Sequence, residues 1–156
     1  MSREINEHTA GEDLLIKTSV RLMVPFIQLF GLYVIVHGHY SPGGGFQGGV
    51  ILGAAFILLA IAFDLKISQK YMPVTVNALF CNLGACIFIG VGVLCALVGG
   101  LFLDYSALDR LLPLGEIEWH SFGIFLVELG VGFTVMSSMI LLYWNLSSGG
   151  AMDEGL

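Results

Sequence analysis

Four apolar runs dominate this chain, and each is long enough to cross a bilayer. The first extends from Leu14 to Val36, 23 residues. A helix of that length covers a hydrocarbon core of roughly 30 Å with some tilt. The second begins inside a glycine-rich stretch and ends near Phe63, the third covers about Ala78 to Phe102, and the fourth Trp119 to about Leu146. Only 12% of residues are charged, against about 25% in soluble domains, and mean hydropathy is +0.88. The expected fold is an all-α integral membrane protein. It has four transmembrane helices and a Pro/Gly-rich connection between the first two.

Three parts are expected: a polar N-terminal segment over 1–13, a four-helix transmembrane domain over 14–146, and a flexible Gly/Ser-rich tail over 147–156. The opening residues carry Glu4, Glu7, Glu12 and Asp13, whereas a cleavable signal wants a basic start and a short apolar core. The net charge of −6 excludes a nucleic-acid partner, which would want a basic patch. Cys81, Cys86 and Cys95 fall in one apolar run with no metal-binding spacing. They read as buried, inert thiols.

Lys17 and Arg21 can snorkel to headgroups from the start of the first helix, Pro25 is expected to kink it, and Gln28 should face a neighbour. Asp64, Lys66, Ser68, Gln69, Lys70 and Pro73 read as a short polar loop. Trp119, Tyr143 and Trp144 suit the headgroup zone. Gly45, Gly49 and Gly53 make a small-xxx-small face, and Gly92, Ala96 and Gly100 a second. Such faces let helices approach closely in lipid. Four spans put both termini on one side, with Arg3, Lys17, Arg21, Lys66 and Lys70. Only Arg110 lies on the other. The positive-inside rule then places both termini in the cytoplasm.

The connection itself, residues 37–49, holds six glycines and Pro42. Gly43, Gly45 and Gly48 match G-x-G-x-x-G, but that fingerprint works between a strand and a helix of a parallel sheet. Apolar runs flank it here, so nucleotide binding is rejected. The stretch reads instead as a corner that lets another backbone or an ion come close.

Glu128 is the single acid deep in an apolar run. It lies nine residues past Trp119, about 13 Å along a helix. A charge at membrane depth costs about 2.5–3.5 kcal/mol on insertion scales, so function is its default explanation. Two readings stay open: a proton or ion relay, or a protonated side chain bonded to a neighbouring helix. His37, His39 and His120, with Glu116 and Glu118, cluster at the same membrane face under this topology. They could handle protons or a cation, or be hydrogen-bonded interface residues. No catalytic triad, nucleophile elbow, metal set or cofactor motif stands out.

The stretch carrying Gly38, His39, Pro42, Gly43, Gly44, Gly45, Phe46, Gly48 and Gly49, continued by Val50 to Ala60, resembles the MrpB/MnhB family. Arg21-Leu22-Met23-Val24-Pro25 and Tyr33 also look like that family's first helix, and the likeness covers roughly residues 14 to 146. The resemblance implies a non-catalytic, multi-pass cell-membrane subunit of a multisubunit Na+/H+ antiporter. There it would contribute to the cation and proton path beside other membrane subunits. It equally implies the homologous subunit of a membrane-bound hydrogenase or sulfur-reducing complex. A purely structural scaffold subunit is a third reading. A free-standing small transporter ranks last, since no inverted repeat is evident.

Overall fold

A computed structural model describes the backbone over residues 2–38, 43–106 and 116–149, and side chains over 13–38, 43–106 and 121–149. Among the described residues the regular structure is helical: α1 (Ser2–Val36), α2 (Gly45–Phe63), α3 (Leu65–Tyr71), α4 (Val74–Leu97) and α5 (Glu116–Ser147). Four of these are long and apolar enough to cross a membrane, over Asp13–Val36, Gly45–Phe63, Val74–Leu97 and Ser121–Ser147. The chain is a multi-pass membrane protein.

The boundaries follow from local chemistry. α1 passes through Pro25 without ending, and its polar first turns are helical as well. α2 begins inside the glycine stretch, where extended Gly44 (φ −142°) precedes Gly45. The polar loop expected after α2 is in fact helix α3. Asp64 accepts a hydrogen bond from the Leu65 amide at 2.7 Å, which caps the new helix. Leu65 and Ser68, three apart, then face inward together and are buried. Asp64 and Lys66 stay exposed. Proline suits a helix start, so α4 begins directly after Pro73, four residues earlier than expected. It ends where Gly99 takes a positive φ of 92°.

The spans pack as a row in the order α1, α2, α5, α4, with α3 against α2. The stripe of Gly45, Gly49 and Gly53 forms the α2–α5 seam. A methyl group at Gly49 would sit 2.6 Å from the Gly132 carbonyl, and one at Gly53 3.3 Å from the Met136 carbonyl. Facing residues step by four on both helices, so α2 and α5 are parallel. Gly48 serves α1 on its other side, where a methyl group would lie 2.8 Å from the Gly31 carbonyl. α4 meets α5 antiparallel. Asn77 Nδ2 donates to the Ser137 carbonyl at 3.0 Å, and Gly84 lies on Gly130 and Thr134. The second small-residue stripe makes no helix seam: Gly92 packs under the Phe102 ring and Ala96 is exposed.

Burial at Trp144 and at two of the cysteines differs from what the sequence pattern suggests. Trp144 is 1% exposed, with Ile140, Leu65 and Met72 around it. Its Nε1 donates to Ser68 Oγ at 3.3 Å, so α3 covers it and draws it into the core of the chain. Of the cysteines, only Cys95 is buried. Cys86 is exposed, and Cys81 is half-buried, 3.7 Å from Ser138 Oγ.

Candidate functional site

Glu128 stands on α5 where α2 begins. The parallel seam sets this position: Gly45 packs directly on the Glu128 backbone, as Gly49 does on Gly132 one turn later. The carboxylate reaches sideways into the corner between α1 and α2. A methyl group at Gly38, just past the end of α1, would lie 2.5 Å from Oε2 and 2.8 Å from Oε1. One at Gly44, just before α2, would lie 2.9 Å from Oε1. Glycine is therefore the residue that leaves space for the carboxylate on both sides of the helix break. The side chain is half-buried, with Oε2 shielded from the surface.

The described corner glycines thus close on the chain itself. Gly38, Gly44 and Gly45 surround Glu128, Gly48 meets α1, and Gly49 meets α5. Gly43 sits against Gln47 and Val34. Phe46 is 62% exposed. It lines an open groove of about 580 Å³ with Phe30, Tyr33, Val34, Gln47 and Ile51.

His37 is exposed at the end of α1. Its ring stacks on Tyr33 at 4.2 Å, and its Nδ1 lies 3.2 Å from the Tyr33 carbonyl. His39 and Pro42 lie outside the described residues. His120 belongs to α5, but its side chain, with those of Glu116 and Glu118, is likewise outside them. The structure therefore joins Glu128 to Gly38 and Gly44, and of the expected histidine cluster His37 alone lies among the described side chains.

Tyr105 is a neighbour that no sequence pattern signals. It lies in the loop after α4, and its ring packs on Gly123 of α5 and beside Cys95 and Leu126. Burial pushes its hydroxyl above the ordinary tyrosine range, with Cys95 and then Glu128 adding to the effect. The phenol therefore holds its proton more tightly than a free tyrosine does. Among the described residues no group of three His, Cys, Asp or Glu side chains is placed to hold a metal ion. Of the described residues packed on the corner glycines, Glu128 is the one that carries a carboxyl group.

With this geometry in hand, comparison with known proteins is decisive on lineage. The model of a domain related to the MnhB subunit of Na+/H+ antiporter matches residues 15–141. The chain belongs to the MnhB family. Relatives in Staphylococcus aureus strains Newman, JH1 and Mu3, provisionally named antiporter subunit mnhB2, are each 34% identical over 138 residues. The match covers 88% of this chain and 96% of each relative. The segment shared with the MnhB family contains the glycine corner and Glu128, and it reaches into all four spans.

Proposed function

We propose that this MnhB-family chain is a non-catalytic membrane subunit of a multisubunit Na+/H+ antiporter, and that Glu128 is a protonatable group on the ion path it helps to form. The family and the naming of the relatives support the first half. The second half is carried by one observation: glycines on both sides of the α1–α2 break leave room for a carboxylate between them. Intramembrane acids are costly and sit where protons or ions move. His37 stands at the end of α1 by that break, and His39 and His120 remain candidate relay groups on their sequence positions. Charge asymmetry supports both termini on the cytoplasmic side of the cell membrane.

The test is Glu128→Gln in the complete complex, reconstituted in vesicles, with sodium-driven proton movement as readout. Glutamine keeps the shape and removes the exchangeable carboxyl proton. The expected result is loss of exchange with the subunits still co-purifying. Undiminished exchange would reduce Glu128 to a structural part.

A further inference from the structure

Two polar side chains are buried between α4 and α5 with hydrogen-bonding capacity left over. Asn77 is 1% exposed and Ser137 is fully buried. Asn77 Nδ2 donates to the Ser137 carbonyl at 3.0 Å, but Asn77 Oδ1 and Ser137 Oγ have no hydrogen-bond partner. A single contact thus brings both unpartnered atoms to one place. The amide that donates carries the first, and the residue that accepts carries the second. Nor do they bond each other, since each would then have a partner.

A hydroxyl on a helix can bond the carbonyl four residues back. Thr134 does so, donating to Gly130 at 3.0 Å, and Thr18 does so to Leu14 at 2.8 Å. Ser137, three residues after Thr134 on the same helix, makes no such bond. A buried polar atom left unpaired costs its full desolvation penalty, so two in one place call for a ligand that satisfies both. The chemistry of the pair selects it. Asn77 Oδ1 only accepts, whereas a hydroxyl either gives or takes. Water meets both needs. A metal cation does not fit, because it would bring charge into an apolar interior on neutral oxygens alone. The nearest acid along α5, Glu128, is nine residues back, about 13 Å.

We propose that one water molecule is bound between α4 and α5, hydrogen-bonded to Asn77 Oδ1 and to Ser137 Oγ, as a fixed part of that seam. It gives Asn77 a second link across the interface beside its direct bond, and a bridging water is nearly as favourable as a direct contact. Asn77 stands on the first turn of α4, three residues past Val74. The pair is therefore near the end of a span, where water has little apolar layer to cross. The site is independent of the reading of Glu128 and of the ion path.

The test is a density map of the complete complex at a resolution that shows ordered water. A peak within hydrogen-bond distance of both Asn77 Oδ1 and Ser137 Oγ is expected. An empty gap, a direct bond between the two side chains, or Ser137 turned onto the Phe133 carbonyl would overturn the proposal. So would a peak ringed by oxygens at metal-ligand distances. Thermal melts of the same complex give a separate reading. Ser137→Ala keeps the backbone carbonyl that Asn77 bonds and removes only Oγ. With water bridging, it should lower the melting temperature by about 2–4 °C, the shift for one lost hydrogen bond in a chain of this size. Without water, it removes an unpaired buried group and adds a better helix former. An unchanged or raised melting temperature would therefore overturn the site. Combining Asn77→Leu with Ser137→Ala should cost less than the two single losses added together, because the second change strands nothing further. Strictly additive losses would overturn the bridge.

Discussion

At the residue scale, two adjacent glycines should behave differently when given the same methyl group. At Gly44 the methyl meets, among the described residues, only the Glu128 side chain, 2.9 Å from Oε1. At Gly45 it meets the Glu128 backbone. Side chains can move aside, whereas a packed helix backbone resists at a cost of about 1–3 kcal/mol. Gly44→Ala is therefore expected to preserve the melting temperature of the complex and lower its exchange rate. Gly45→Ala should lower both. Gly90→Ala is the control: a methyl there meets nothing within 4 Å, so a thermal melt should be unchanged or slightly raised, as alanine is the better helix former by roughly 1 kcal/mol. Glu128 is conspicuous in the sequence as an acid in an apolar run. Its neighbours are not, because Gly38 and Gly44 lie more than eighty residues away and no periodicity encodes the register between two helices.

At the element scale, small residues set the seams and a few polar groups pin them. Asn77 is 1% exposed and donates across the α4–α5 interface, and Trp144 ties α5 to α3 through Ser68. Interhelical hydrogen bonds in membranes contribute about 0.6 kcal/mol, up to about 1.7. Asn77→Ala and Trp144→Phe should each lower stability in detergent by about that much, read from denaturant melts of the isolated complex. Trp144→Ala should cost about 3–5 kcal/mol, since it also opens a cavity. The four spans and the Gly45/Gly49/Gly53 face were legible because apolar length and four-residue spacing are local signals. Helix α3 was hidden because polar composition reads as loop. Its inward face is only Leu65 and Ser68, and its cap is a single aspartate. The burial of Trp144 was hidden for the same reason, since α3 is the element that covers it.

At the scale of the whole molecule, four helices in a row bury only part of their apolar surface. Phe26, Leu29, Phe30 and Leu32 of α1 are exposed, as are Leu79, Leu83 and Ile89 of α4. A row of this kind has two broad flanks for lipid or for other membrane subunits, and the proposed antiporter would occupy part of them. The corner, its carboxylate and the glycine seams are internal to the chain, while partners would complete the ion path around it. The most direct measurement is to purify the tagged chain from its native membrane in mild detergent and reconstitute what elutes. It should elute with several hydrophobic partner subunits, and that assembly should exchange Na+ for H+ in vesicles, while the chain alone should not. A homo-oligomer of this chain that elutes alone and carries the exchange by itself would contradict the proposed role.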